Sequence, residues 1–275
     1  GADVAGLIGL DLQGALMSFD ESAASADGRR EARLTPRDGG PAIPVETFAR
    51  VLEAGRQNGD QDDLVVLAVR DLRERRSAEE KIRYLAEHDG LTGLANRNVM
   101  QSRLAQALEQ AAVSGDSVAV ICIDLDHFKE ANDLHGHLAG DAILSEVARR
   151  LRASVTAPSF AARLGGDEFV VVQIGAGDQP AAAAELSAGL IEVLRDPVAF
   201  ADQSLQVGAS LGISLYREDG DTGEALLANA DMALYRAKED GRGNYCFFKR
   251  EMDETIRERR TLARELRQAI SLEEL

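Results

Sequence analysis

Five consecutive residues, Gly165-Gly166-Asp167-Glu168-Phe169, constrain most tightly what this chain can fold into. Residues 160–164 before them are apolar apart from Arg163, and residues 169–174 after them are rich in apolar and β-branched side chains. Two short strands around a Gly-Gly pair predict a β-hairpin. The glycines tolerate positive φ and let a ligand approach the backbone, and two acidic side chains stand at or beside the turn. Taken alone, the pattern fits an ordinary turn with solvated acids equally well.

The rest of the chain narrows the classes. Its 275 residues suffice for one or two domains with real cores. A formal net charge of −16 and a pI near 4.7, with no basic stripe, argue against a nucleic-acid binder or a polymerase. Cys122 and Cys246 lie in apolar segments and make no disulfide framework, which predicts a reducing cytoplasm. No apolar run reaches the ~18 residues of a membrane span. Gly1 is not a natural start and no signal-peptide pattern follows it, so the chain reads as a piece of a longer, cytoplasmic or membrane-attached protein.

Residues 1–70 are the least informative. Short strands are expected over 31–36, 42–48 and 64–69, with a turn at Asp38-Gly39-Gly40 and an apolar, glycine-spaced run over 7–16. The pattern Arg37-Asp38-Gly39, Ile43-Pro44-Val45-Glu46 and Val66-Leu67-Ala68-Val69-Arg70-Asp71 resembles the last strands of a PAS sensor domain whose first half is absent. A generic small β-meander is the alternative. Residues 71–88 form a charged helix with Leu72, Glu79, Ile82 and Ala86 at heptad-like spacing, expected either as a short coiled coil between two subunits or as a solvated helix.

From residue 89 the pattern becomes specific. Asp89-Gly90-Leu91-Thr92-Gly93-Leu94-Ala95-Asn96-Arg97 opens the second half as a structural turn followed by a helix. Helices are expected over 98–113, 128–134, 138–155, 181–194 and 223–240, and strands over 117–123, 160–164, 169–174, 205–215 and 244–248. That order predicts an α+β domain, an antiparallel sheet with helices mostly on one face. The signature pentapeptide and the Asp89–Arg97 run resemble GGDEF diguanylate cyclases. So do Phe128-Lys129-Glu130-Ala131-Asn132-Asp133-Leu134-His135-Gly136-His137-Leu138-Ala139-Gly140-Asp141 and Ala230-Asp231-Met232-Ala233-Leu234-Tyr235-Arg236-Ala237-Lys238-Glu239-Asp240-Gly241-Arg242-Gly243-Asn244. The resemblance runs from about Arg70 to Phe248 and implies a palm-like, ferredoxin-related fold with an antiparallel-dominated sheet flanked by helices. It divides the chain into a PAS-like region (1–70), a linker helix (71–88), a cyclase domain (89–249) and a connector (250–275) similar to the one before EAL phosphodiesterase domains.

The implied activity joins two GTP into cyclic di-GMP, releases pyrophosphate and needs Mg²⁺ or Mn²⁺ at a homodimer of such domains. Magnesium takes one or two carboxylates plus substrate phosphates, so distant acids must converge. Asp124 follows the apolar run 118–123, where its carboxylate would emerge at a strand end. The resemblance implies Asp124, Asp167 and the main-chain carbonyl of Leu125 as metal ligands, and Glu168 as a further ligand or the proton acceptor from the 3′-hydroxyl. Asp126 reads either as an N-cap or as a second-metal ligand. Asn132 and Asp141 are implied to read guanine, whose N1–H and N2–H₂ suit a carboxylate and an amide; adenine would leave those groups unpaired at about 1–3 kcal/mol each. Lys238 and Arg242, four apart and on one face if the helix continues, are implied to bind phosphates together with Lys129, while Gly165 and Gly166 give backbone access. Gly243 is an insertion relative to the family pattern. His135 and His137 are expected to be structural. The family's Arg-x-x-Asp product site is replaced at its ends by Thr156 and Ser159, which predicts no feedback through that site. Two other classes fit the same sequence. One is a silent GTP-binding module controlling a neighbouring EAL phosphodiesterase, and the other is a sensor or dimerisation scaffold.

Overall fold

The computed structural model describes residues 17–24, 29–34, 41–52, 64–201 and 203–252. They belong to two compact units, Gly1–Tyr84 and Leu85–Leu275. The first unit is an antiparallel meander in the order β1 (Met17–Ala24), β2 (Arg29–Leu34), β3 (Ile43–Leu52) and β4 (Leu64–Asp71). The strands expected over 31–36, 42–48 and 64–69 correspond to β2, β3 and β4, with β3 running on to Leu52. β1 has no counterpart among the expected strands. Its sequence, Met17-Ser18-Phe19-Asp20-Glu21-Ser22-Ala23-Ala24, carries no apolar alternation, and pairing with β2 sets its conformation. The apolar run 7–16 and the turn at 38–40 lie outside the described residues. Helix α1 (Arg73–Glu87) follows, its first turn fixed by the Arg73 amide donating to the Asp71 carboxylate at 2.9 Å.

The second unit is built from α2 (Arg97–Ser114), β5 (Ser117–Asp126), α3 (Phe128–His135), α4 (His137–Ser154), β6 (Phe160–Gly165), β7 (Glu168–Gly175), α5 (Gln179–Arg195), β8 (Val198–Phe200), β9 (Gln203–Leu205), β10 (Gly208–Leu215), α6 (Gly223–Glu239) and β11 (Tyr245–Phe247). Its main sheet has the order β11-β10-β5-β7-β6, antiparallel except for the β10–β11 pair. The expected strand over 205–215 is divided. Leu205 closes the small β8–β9 hairpin, and pairing with β5 begins only at Gly208.

Helices cover both faces of this sheet, which corrects the expectation of a one-sided arrangement. The cause lies in β5, whose apolar residues do not alternate with polar ones. Ala119, Ile121, Ile123 and Leu125 point into a core with Ile143, Val147 and Leu151 of α4 and Leu190 and Leu194 of α5. Val118, Val120 and Cys122 point the other way, against Met100 and Leu104 of α2 and Leu226, Ala230 and Leu234 of α6. A strand apolar on both faces must be buried on both. Each fully buried Leu or Ile contributes roughly 1.5–3 kcal/mol, so neither layer can be left off without large loss. Among the described residues no helix is long and apolar enough to cross a membrane.

One close approach fixes α6, the helix that carries Lys238. Gly212 of β10 lies directly beneath it, and a Cβ there would overlap the Ala230 carbonyl and the backbone of Leu234. Backbone cannot yield as a flexible side chain does. Gly212→Ala is therefore expected to cost about 3 kcal/mol or more, at the upper end of overpacking effects. Urea denaturation checks this, and a loss below ~0.5 kcal/mol would refute it.

Candidate active site

The signature residues form the turn between β6 and β7. Gly165 pairs with Glu168, leaving Gly166-Asp167 as the two-residue tip, and the register shifts between Arg163 and Gly165. Gly165 and Gly166 have φ of 145° and 53°, with open space where a Cβ would stand, so the conformation itself selects glycine. Arg163, the one charged residue in the strand before the turn, holds the turn from behind. Its guanidinium donates to the Gly166 carbonyl from Nη2 at 2.7 Å and from Nε at 3.1 Å, and to the Asp89 carboxylate at 2.9 Å. Asp89 also accepts from the Thr92 amide and hydroxyl, at 2.9 and 2.6 Å. Burial alone would push the Asp89 carboxyl up, but these donors hold it below its usual range. The loop before α2 is thus tied to the tip of the hairpin.

Asp124 lies inside β5, which continues to Asp126 rather than ending at residue 123. The paired β7 ends there instead: Asp124 stands opposite Glu168, the first residue of β7, and opposite Ser210 of β10. Residues directly opposite on antiparallel strands share a face, so Asp124 and Glu168 stand on the same face of the sheet. Lys238 reaches across from α6 to Asp124, with Nζ 2.7 Å from Oδ1. Burial raises the Asp124 carboxyl above its usual range, the Lys238 ammonium opposes this, and Asp167 adds to the rise.

Two clefts meet at Asp124 and Lys238. The first, about 240 Å³, brings Asp124, Leu125, Asp126, Lys129, Glu130, Asp167, Lys238 and Arg242 together. The second, about 390 Å³, lies on the side where Arg97 faces Glu168 at 3.9 Å, above Cys122. The two neighbouring acids of the turn therefore face different clefts, Asp167 the first and Glu168 the second. Arg97 enters the site although its motif reads as structural. Its place at the first turn of α2, directly after the cap residue Asn96, was the available signal.

Lys238 and Arg242 do not share a helix face. α6 stops at Glu239, and Gly241, Arg242 and Gly243 all take positive φ, at 112°, 62° and 61°. The glycines end the helix, and the chain folds Arg242 back towards the same cleft. Asp126 does not cap α3. Its carboxyl is buried and accepts from the Ser210 hydroxyl at 2.7 Å and from the Gly243 amide at 3.0 Å, while the N-cap of α3 is His127, which makes no side-chain cap hydrogen bond.

Asn132 on α3 packs so closely on Gly140 of α4 that a Cβ at Gly140 would overlap its amide. Its Oδ1 is buried without a hydrogen-bond donor, and exposed Asp141 follows Gly140 in the chain. A buried acceptor without a donor costs about 1–3 kcal/mol, which a ligand donor would recover. His135 is half-buried and His137 exposed.

Among the described residues, no three carboxylates, imidazoles or thiols stand together as a ready-made metal cage. The carboxylates of Asp124 and Asp167, which border the first cleft together with Leu125, suit an ion such as Mg²⁺ that shares its shell with substrate phosphates.

The fold is that of an α+β, palm-like domain with its polar cleft at the end of the central strands. The family profile described as "Diguanylate cyclase, GGDEF domain" matches residues 86–244, more than half of the chain. This chain belongs to that family. It is 66% identical over 276 residues to an uncharacterized signaling protein of Caulobacter vibrioides, covering 100% of this chain and 34% of that one. It is 43% identical over 198 residues to MucR of Pseudomonas aeruginosa, a bifunctional diguanylate cyclase/cyclic di-GMP phosphodiesterase, covering 72% of this chain and 29% of MucR. A crystal structure of a sensory box/GGDEF family protein from Caulobacter crescentus superposes with a TM-score of 0.56 at 71% identity, over 56% of this chain and 99% of that one. The chain spans about a third of the length of these curated relatives.

The Asp124 carboxylate lowers stability where it stands. Because its folded pKa is raised, the penalty is present when the carboxylate is ionised and is relieved as the pH falls through the carboxylate range. Asp124→Asn is expected to be more stable than the parent at pH 7, with the difference shrinking towards pH 3. Thermal unfolding at both pH values checks this, and a less stable variant at pH 7 would count against it.

Proposed function

We propose that this chain is an active diguanylate cyclase that condenses two GTP into cyclic di-GMP and releases pyrophosphate. The observation that carries the reading is the first cleft, where Asp124 and Asp167 stand among Lys129, Lys238 and Arg242. Asp126 and Glu130 line the cleft as well, so a triphosphate there would be met by three bases together with a cation shared by Asp124 and Asp167.

In this reading Asn132 and Asp141 hold the guanine, and the three cations hold the triphosphate along the cleft. Bound Mg²⁺, held by Asp124, Asp167 and the Leu125 carbonyl, would supply charge neutralisation on the α-phosphate and the departing pyrophosphate. The 3′-hydroxyl oxygen of one GTP attacks the α-phosphorus of the other, the bond to the bridging oxygen breaks, and pyrophosphate leaves. The hydroxyl proton goes to a carboxylate at the turn, with Glu168 exposed and standing opposite Asp124. Each domain offers one guanine reader, so two domains face each other and the reaction is second order in protein. The PAS-like region and a coiled coil through α1 would set that pairing; Ile82 of α1 is 68% exposed.

A second reading has two points in its favour. MucR carries both activities by name, and residues 250–275 resemble the connector before EAL domains, so this domain would bind GTP and govern a neighbouring phosphodiesterase. Residues 253–275 lie outside those described.

Incubation with GTP and Mg²⁺ at several protein concentrations separates the two. Cyclic di-GMP formation should rise faster than linearly with protein and disappear in Asp167→Ala. Tight GTP binding without product would move the weight to the regulatory reading. Added cyclic di-GMP should not inhibit non-competitively, because Ser159 is committed to β7, accepting from the Ile174 amide at 3.0 Å. Non-competitive inhibition that Ser159→Ala relieves would contradict this.

A further inference from the structure

Asp126 is a buried acid that lines the first cleft and has no part in the reaction as proposed above. It is 5% exposed, at the last position of β5, two residues beyond Asp124. Each of its oxygens has a protein donor, the Ser210 hydroxyl on Oδ1 and the Gly243 amide on Oδ2. The Gly243 amide also lies 3.3 Å from the Ser210 hydroxyl oxygen, so strand β10, strand β5 and the loop after α6 converge on one carboxyl group. Gly208, directly across from Asp126, leaves room for it, since a Cβ there would stand 3.0 Å from Oδ2.

The loop held in this way needs holding. Three successive residues, Gly241 to Gly243, have positive φ, and one of them is Arg242, for which that conformation is unfavourable. A strained segment persists only where its surroundings over-determine it. On its helix side the loop has the Arg242 amide donating to the Ala237 carbonyl at 3.2 Å. On its sheet side the Gly243 amide is fastened by Asp126, beside Arg195 donating to the Gly243 carbonyl at 3.5 Å and the Leu211 amide of β10 donating to the Asn244 carbonyl at 2.9 Å. Arg242 stands between these two attachments and faces the cleft that Asp124 and Lys238 border.

We propose that Asp126 is a positioning residue for the triphosphate. Its carboxyl ties the loop bearing Arg242 to the strand bearing Asp124, so that the phosphate-binding cation and the metal-facing acid keep a fixed separation. This rests on the cyclase reading of the cleft, in which Arg242 meets phosphate. Hydrogen bonds to a carboxylate are the stronger kind, and their loss would free a strained loop to relax away from the cleft.

Calorimetric titration of the chain with GTP and with GMP, without divalent metal so that no turnover occurs, tests the inference. Asp126→Ala should weaken GTP roughly tenfold and GMP less than about twofold. Asp126→Asn should recover most of the loss, because its amide can turn its oxygen to the Gly243 amide and its NH₂ to the Ser210 hydroxyl. The double variant Asp126→Ala/Arg242→Ala should bind GTP no more weakly than Arg242→Ala alone. Equal weakening of GTP and GMP, or full additivity in the double variant, would overturn the inference. If Asp126→Ala does not fold, Ser210→Ala should show the same GTP-selective loss at smaller size, and an unchanged ratio of GTP to GMP affinity there would overturn it as well. A parent chain that binds GTP no better than GMP would instead overturn the phosphate reading of the cleft, and this inference with it.

Discussion

The geometry of the site depends first on the guanidinium of Arg163. An arginine in an otherwise apolar strand is costly unless its donors are met. Here they are met by the Gly166 carbonyl at the tip of the hairpin and by Asp89 in the loop before α2. The turn can therefore hold glycines at positive φ without becoming loose. Asp167 is the residue after the braced carbonyl, so the brace acts directly on the acid that enters the cleft. Asn96 extends the connection, capping α2 through the Val99 amide and donating to the Ala86 carbonyl near the end of α1. Hairpin tip, cap and helix end are linked through short hydrogen bonds, one of them bridging the 74 residues between Asp89 and Arg163.

Much of this was legible in the sequence because its informative residues are neighbours in the chain. The hairpin, the Asp89–Arg97 turn and the order of helices and strands follow from turn chemistry and periodicity acting over fewer than twenty residues. The convergence of Asp124, Asp167 and Lys238 was legible only through the family pattern, since they come from strands and helices far apart in sequence. What the sequence withheld were contacts decided by tertiary packing. Asp126 could be a cap, a ligand or an anchor, and the difference lies in Ser210 and Gly243, 84 and 117 residues away. Arg97 could be read as a helix-opening residue because Glu168, its partner, lies on another element. The expectation that Lys238 and Arg242 share a helix face failed because the helix stops at Glu239, one residue beyond Lys238.

The two-sided burial of β5 explains why the polar residues cluster where they do. Along 118–123 both faces of the strand are packed, so no polar group has room until residue 124. There β7 ends and the cover from α6 gives way to the Lys238 ammonium. The change from apolar to acidic along β5 marks the edge of the core, and the cleft lies just beyond it.

The contact at Gly212 bears on how such a domain can be controlled. With the backbone of α6 seated against the backbone of β10, there is no cushion of side chains to compress, and the helix cannot slide or lift by small steps. Lys238, one turn beyond Leu234, inherits that fixity. The domain is thus stiff along the axis that a signal would need to deform in order to tune the cleft from inside. In the cyclase reading proposed above, adjustment would come from outside it, as a change in which surfaces meet and at what angle, in the way a rigid jaw is regulated by its hinge.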